Sequence, residues 1–411
     1  MKQLPKIYDA LGRHPVHPFP ARMAPGIALE YLPRGRRRLR VLDPMMGSGT
    51  VVALARANGH TAVGLDIDPL AVLIAKTWTT PVDYAEVRLR AIEVLGRAED
   101  SFTRLPLSKA YPAKATRETK QFVRYWFDGY ARRQLTALSS AIRNVRDANT
   151  RLVLWCAFSR LIITKQAGVS LAKDLAHSRP HKAFEKAPVR AFDKFVFSVE
   201  AVLKNCIPQS GDSRGPTASV RLGDARRLKM RKNSVDLVIT SPPYLNAIDY
   251  MRCSKFSLVW MGRSAEELRL IRKRSIGTEV GEYTRSKHAA DIIKGLKLGS
   301  DFPKHDRAVL VRFIEDMKLA LSEVARILTP GGRAVYVVGE NTIRGVYVRN
   351  SKIVVEAARH AGLVLVGRST RALPQSRRYL PPPSSGRNEL DVRMRREVVL
   401  AFRKPTKRAP R

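Results

Sequence analysis

Arg38-Leu39-Arg40-Val41-Leu42-Asp43, then Pro44-Met45-Met46-Gly47-Ser48-Gly49-Thr50, then Val51-Val52-Ala53-Leu54-Ala55-Arg56-Ala57 and Thr61-Ala62-Val63-Gly64-Leu65-Asp66, is the stretch that decides the fold. The short apolar run from 38 to 43 reads as a strand, the small residues after it as a turn, and the apolar run from 51 to 57 as a helix. A second strand then ends on a carboxylate, Asp66. A β-turn-α-β unit with small residues at the first strand end and an acid at the second is how doubly wound parallel sheets hold nucleoside cofactors. The predicted fold class is therefore α/β, doubly wound and mostly parallel, with a helix from Pro69 to about Thr79 completing the crossover.

Working outward, short strands return at Ser219 to Leu222, ending in Gly223-Asp224, and at Val235 to Thr240, ending in Ser241. A helix near Arg307 to Leu328, a Thr329-Pro330-Gly331-Gly332 turn and a strand from Arg333 to Val338 continue the α/β rhythm. Leu363 to Gly367 and Glu397 to Arg403 suit an antiparallel pair closing the sheet edge. Between the two α/β parts lie long segments with helical spacing, such as Ala131 to Val145, Arg151 to Gln166 and Ala191 to Cys206. The chain divides accordingly into a cofactor-binding part of the catalytic domain (1–81), a helical insertion (82–206), a Ser/Gly/Pro-rich linker (207–218) and the remaining catalytic part (219–404). Within the last, the polar, basic stretch 262–306 has weak periodicity and is expected to be a mobile loop; residues 405–411 form a basic tail.

The 411 residues are 44% hydrophobic, enough for a sizeable core, but 75 Lys and Arg against 36 Asp and Glu give a formal charge of +39. Such an excess points to a polyanionic partner. Nucleic acid is favoured over an anionic membrane because no basic amphipathic segment stands out. No apolar run nears the ~18 residues that span a bilayer, and the first residues do not open a signal peptide, so a cytoplasmic protein is expected. Cys156, Cys206 and Cys253 are far apart and lack any C-x-x-C pairing, which indicates neither a zinc site nor a disulfide framework.

Gly47 and Gly49 let the backbone approach a ligand, and the helix after Thr50 presents free N–H groups there. Asp66, about 20 residues past the turn, suits a ribose diol. Asp68 is the lesser candidate, because it starts the following helix and suits a cap. A dinucleotide needs a third glycine for its pyrophosphate, whereas Thr50, Val51 and Val52 follow Gly49. S-adenosylmethionine has no phosphate and needs only close approach. Late in the chain, Ser241-Pro242-Pro243-Tyr244 leaves a strand end. Its two prolines cannot donate backbone hydrogen bonds and hold the chain extended, so their carbonyls and the Ser hydroxyl can accept N–H donors while the Tyr ring offers a stacking face.

Asp43-Pro44-Met45-Met46-Gly47-Ser48-Gly49-Thr50 together with Ser241-Pro242-Pro243-Tyr244 resembles the amino-methylating DNA methyltransferases, the N4-cytosine and N6-adenine group. His14-Pro15-Val16-His17-Pro18-Phe19-Pro20 resembles the family motif that lines the methionine pocket, and the strand Arg396-Glu397-Val398-Val399-Leu400-Ala401-Phe402 resembles its final strand. The resemblance covers roughly residues 14 to 80 and 219 to 404. It implies an S-adenosylmethionine-dependent methyltransferase fold. It also implies a cofactor site formed by Phe19, Pro20, Asp43, Pro44, Met45, Gly47, Ser48, Gly49, Thr50, Asp66, Ile67, Asp224 and Ala225, with Asp224 on the adenine. Met45 stands where many members carry Phe, leaving the cofactor wall less aromatic.

Ser241, Pro242, Pro243 and Tyr244 are the catalytic residues the resemblance implies, acting on an exocyclic amine of a flipped base in DNA. Within the family, Ser before the prolines is more usual for cytosine N4, so that base is favoured over adenine N6. Carbon-5 methylation needs a thiolate directly after the Pro, and here Tyr244 follows while Cys253 lies nine residues on. Arg272, Lys273 and Arg274 are candidates for the DNA backbone. The insertion occupies the place of a target-recognition region in one permuted class; its Tyr125, Trp126, Phe127 and Tyr130 suit a core stripe better than base contacts. A companion restriction endonuclease is a further partner the resemblance admits. An RNA base-amino methyltransferase and an inactive nucleic-acid-binding protein are the alternative functions.

Overall fold

The computed structural model describes residues 6–19, 22–33, 35, 37–164, 167–173, 180–209, 216–245, 249–280, 286–296, 298, 302–343, 346–372 and 396–406. Seven strands form its main sheet: β1 (Arg40–Asp43), β2 (Thr61–Asp66), β3 (Ala218–Leu222), β4 (Val235–Thr240), β5 (Leu328–Gly339), β6 (Val364–Ala372) and β7 (Arg396–Arg403). Their order across the sheet is β6-β7-β5-β4-β1-β2-β3. β1 pairs in parallel with β2 on one side and β4 on the other, so Val41 sits between Ala62 and Leu237. β7 runs antiparallel to both of its neighbours, β5 and β6. The fold is thus α/β, doubly wound and mostly parallel, with a run of helices inserted between β2 and β3.

This order places a topological switch at β1. The chain proceeds outward through β2 and β3, then returns to the other side of β1 as β4, and the crevice beyond the carboxyl ends of β1 and β4 is where such sheets bind ligands. β1 and β4 are apolar on both faces, as strands covered by helices above and below must be.

The helices that matter for the site are α1 (Thr50–Ala57), α2 (Pro69–Thr79), α3 (Tyr84–Arg104), α4 (Arg117–Trp126), α5 (Gly129–Arg143), α6 (Ala148–Ile162), α7 (Ala191–Leu203), α8 (Met251–Leu258), α9 (Ala265–Arg274), α10 (Lys287–Leu296), α11 (Lys304–Ile327) and α12 (Asn350–His360). Side-chain caps start most of the insertion: Asp83, Thr116, Asp128 and Asp147 each accept a backbone N–H from the first turn of α3, α4, α5 and α6. The insertion does not stand apart. Its buried Phe127, Phe158 and Phe195 share one core with Ile74 and Trp78 of α2 and with Phe256 and Trp260 beside β4's exit.

Several element limits differ from the sequence reading. The stretch 262–306 contains two whole helices, α9 and α10, and the first residues of α11, where a loop is expected. Ser264 caps α9 by accepting the Glu267 N–H at 3.1 Å, and Ala289, Ile292, Ile293 and Leu296 of α10 are buried in the core that holds α11. Each helix carries only a narrow apolar stripe between charges, which weakens the periodic signal. β5 begins at Leu328, so the Thr-Pro-Gly-Gly segment is part of the strand. In the segment read as a linker, Ile207–Pro208 pairs in parallel with Pro81–Val82. Phe127 is buried in the core, whereas Tyr125 and Tyr130 are exposed. No helix of the described residues is long and apolar enough to cross a membrane.

Candidate active site

The turn after β1 is held from below by the acid that ends β2. Asp66 accepts the Gly47 N–H at 2.8 Å through Oδ2 and the Asp68 N–H at 2.9 Å through Oδ1. Gly49 has φ +84°, a left-handed backbone, and an added Cβ would lie 2.7 Å from the Ala75 Cβ on α2. Glycine is therefore needed there both for conformation and for helix approach. The ring of Phe19 packs over Gly47, 3.5 Å from where a Cβ would stand, and stacks on Tyr250 with centroids 5.7 Å apart. Beside Phe19, a small pocket is lined by His17, Leu70, Tyr250, Cys253, Ser254 and Ser257. Among the expected cofactor residues, Asp43, Pro44, Ser48, Gly49, Thr50 and Ala225 are buried, and Met45, Gly47, Asp66, Ile67 and Asp224 are half-buried. Pro20 lies outside the described residues.

Three carboxylates gather at this edge. Burial pushes Asp43 up to about 7, against hydrogen bonds from Thr240 and Met45. Burial likewise pushes Asp68 up to about 7, although Ser254 Oγ donates to its Oδ2 at 2.6 Å. Asp66 is raised by burial too, and its charge helps raise both neighbours. Asp68 is the cap of α2, accepting the Leu70 N–H at 2.8 Å, as its position in sequence suggests. Among the described residues no set of three ligating side chains is placed to hold a metal ion. Acids crowded under low dielectric resist ionising together, so a cationic ligand beside them is favoured and a pyrophosphate opposed. S-adenosylmethionine, with its sulfonium and ammonium, fits this donor set; a dinucleotide does not.

Asp224 is less open than the resemblance implies. Arg226 grips it with Nε at 2.9 Å from Oδ1 and Nη2 at 2.7 Å from Oδ2, and also pairs with Asp316 at 2.6 Å. Burial pulls the Asp224 carboxyl up, but the hydrogen bonds and charge of Arg226 hold it below its ordinary range. The Arg226 N–H also donates to Oδ1, so the acceptor position left over for a base amine is on Oδ2.

The second half of the site begins one residue before Ser241. Thr240 Oγ1 donates to Asp43 Oδ1 at 2.7 Å, and both side chains are buried. The end of β4 is thereby fastened to the end of β1, and the Ser-Pro-Pro-Tyr segment to the glycine turn. Ser241 Oγ donates to the Val337 carbonyl at 3.0 Å. Tyr244 places its hydroxyl 3.3 Å from Ser241 Oγ and 3.4 Å from Glu397 Oε1. The Tyr244 carbonyl is approached by Gly277, where φ is +77° and a Cβ would lie 3.0 Å away, so the segment after α9 folds over the tetrapeptide.

Of the three basic candidates, Arg272 is engaged: its Nε pairs with Asp249, which also pairs with Arg252. Lys273 and Arg274 are exposed at the carboxyl end of α9, and the Arg274 carbonyl accepts from Arg226 at 2.6 Å. All three cysteines are reduced and buried, Cys156 with its thiol pushed up to about 12 by burial. Cys253 lies within α8, away from the strand end a cysteine nucleophile would occupy. Thr240, Arg226 and Glu397 were not singled out from the sequence. Thr240 had a usable signal, being the hydroxyl that immediately precedes Ser241 on a strand next to β1.

No protein-family model matches the chain. Type II methyltransferase M.MvaI of Kocuria varians is 22% identical over 422 aligned residues, covering 95% of this chain and 90% of that one. Type II methyltransferase M.BsoBI of Geobacillus stearothermophilus is 22% identical over 290 residues, 66% of this chain and 56% of its own length. A SAM-dependent methyltransferase structure from Methanosarcina mazei has a TM-score of 0.34 at 9% identity, over 94% of this chain and 100% of that one. The similarity to M.MvaI thus runs along nearly the whole chain, and both of these relatives are type II methyltransferases.

Proposed function

We propose that the protein is a DNA methyltransferase that transfers a methyl group from S-adenosylmethionine to an exocyclic amino group of a flipped base, with cytosine N4 favoured over adenine N6. The single observation that carries this reading is the Thr240–Asp43 hydrogen bond of 2.7 Å, which fixes an amine-accepting tetrapeptide against a turn and carboxylates suited to a cationic nucleoside. The two type II methyltransferase relatives and the charge of +39 support DNA as the substrate.

When bound, S-adenosylmethionine supplies an electrophilic methyl group. The chain's own residues do the aligning. Phe19 and the Gly47–Gly49 turn wall the cofactor side, and Asp66 stiffens that turn through the Gly47 N–H. On the amine side, the Ser241 proton is committed to Val337, which leaves the Oγ lone pairs to accept an N–H. The Pro242 carbonyl is the second acceptor. An exocyclic amine is a weak nucleophile because its lone pair is delocalised into the ring; two acceptors on its N–H groups favour a tetrahedral nitrogen and drain charge as the new bond forms. Tyr244 offers its ring for stacking. Reaching this crevice requires the base to leave the duplex, at a cost of a few kcal/mol offset by stacking and phosphate contacts.

Sequencing host DNA with and without this gene tests the reading. Modified bases of one kind at one sequence motif, lost with the gene, are expected; a modification unaffected by Ser241→Ala would overturn the assigned site. Pairing with a restriction endonuclease is part of the same proposal, and a nuclease cutting at that motif in the same host is its check.

A further inference from the structure

Because β7 is antiparallel, its first residues rather than its last lie at the edge where β1, β2 and β4 end. Glu397, the second residue of β7, pairs with Gly339 at the end of β5, two residues beyond the Val337 that accepts from Ser241. Its side chain is only 14% exposed and has two partners. Oε2 accepts from Arg371 Nε of β6 at 2.8 Å, and Oε1 faces the Tyr244 hydroxyl at 3.4 Å.

The hydrogen-bond directions along this line follow from chemistry. An ionised carboxylate is acceptor-only, so a proton between Tyr244 and Glu397 belongs to Tyr244. At 3.4 Å the contact is long, and the charge of the carboxylate rather than a short bond sets that preference. Ser241 spends its own proton on Val337. The 3.3 Å gap between Ser241 Oγ and Tyr244 Oη then carries no proton, and both lone pairs of Ser241 stay open. Were Glu397 unable to accept, the same hydroxyl, 3.3 Å from Ser241 Oγ, could turn to Ser241 and take one of the two lone pairs offered to the incoming amine.

We propose that Glu397 is a positioning residue for methyl transfer: by drawing the Tyr244 hydroxyl proton away from Ser241, it keeps both Ser241 lone pairs open to the substrate amine. This rests on the function proposed above. Glu397 touches neither base nor cofactor; it acts through Tyr244, and Arg371 holds it in place.

The test is a double-mutant cycle on the full chain, with initial rates of methyl transfer to DNA. Glu397→Gln is isosteric, yet Arg371 claims the amide oxygen and leaves the NH2 group facing Tyr244, which sends the Tyr proton to Ser241. The expected result is a kcat lowered about tenfold, the size of one hydrogen bond, with KM for the cofactor unchanged. Tyr244→Phe keeps the stacking ring and removes the competing proton, so adding Glu397→Gln to it changes kcat less than about twofold. A Glu397→Gln variant at the wild-type rate overturns the inference, as does an equal loss in both backgrounds, which would mark a structural role. Wild-type protein that methylates no nucleic acid overturns the proposed function, and the inference with it.

Discussion

The two halves of the site differ in charge. On the cofactor side, Asp43, Asp66 and Asp68 lie within mutual influence, and burial raises all three. On the amine side, the groups nearest the reaction are neutral: a serine hydroxyl, proline carbonyls and a tyrosine, with the Glu397 carboxylate neutralised by Arg371. The contrast supports the proposed division of labour: an acidic half suits a cationic methyl donor, while a neutral half with acceptors suits an uncharged amine without trapping it as a cation before it reacts. The Thr240–Asp43 bond joins the two.

Ser241→Ala breaks the amine half alone. Its kcat is expected to fall by about 100-fold, the scale for losing one oriented group at developing charge, while cofactor binding measured by calorimetry stays as it was. Asp66→Ala breaks the cofactor half alone. It releases the Gly47 N–H and, on the proposed reading, removes the diol acceptor, so cofactor Kd should rise roughly 10- to 100-fold with the same amine-side chemistry once saturated. Thr240→Val attacks the seam: it leaves buried Asp43 short of a partner and should cost about 1–3 kcal/mol in a denaturant titration.

The acids also make the halves respond differently to pH. Asp43 and Asp68 titrate near 7 when folded, above their values of about 4 in an unfolded chain. Between those values the folded state binds more protons, so stability of the ligand-free protein falls as pH rises through that window and levels off above it. Cofactor affinity moves the other way, strengthening as the acids ionise. Melting curves from about pH 5 to pH 8 should show the fall, and Asp43→Asn should flatten it. The smallest effect concerns the basic surface. Lys273→Ala and Arg274→Ala should each lower the salt slope of DNA affinity by about 0.9, whereas Arg272→Ala should leave it unchanged because Arg272 is paired with Asp249.

How much of this was legible in the sequence follows the same division. The cofactor half is contiguous: glycine turn, helix start and strand-end acid fall within 38 to 66, where local periodicity and spacing carry the whole argument. Ser241 to Tyr244 is legible because prolines so placed have few purposes. What was hidden is what distant segments bring together. Glu397 reaches the site only because β7 reverses, and no local pattern tells a strand its direction. Arg226 closes on Asp224 two residues away, a pair open to reading, but its second grip on Asp316 depends on how α11 packs. The α9 and α10 helices were obscured by charge, since a narrow apolar stripe among Arg and Lys looks like a solvated loop until its tertiary partner is known. The helical spacing between 82 and 206 is open to reading, yet nothing in it says that its aromatic core continues into α2.

One measurement tests the central claim most directly: incubate the purified protein with DNA and S-adenosylmethionine carrying a labelled methyl group, digest the product and identify the methylated nucleoside by mass spectrometry. The account predicts label on an exocyclic amine, N4-methylcytosine foremost, abolished in step with Ser241→Ala. Label on cytosine carbon 5, or transfer indifferent to Ser241, would contradict it.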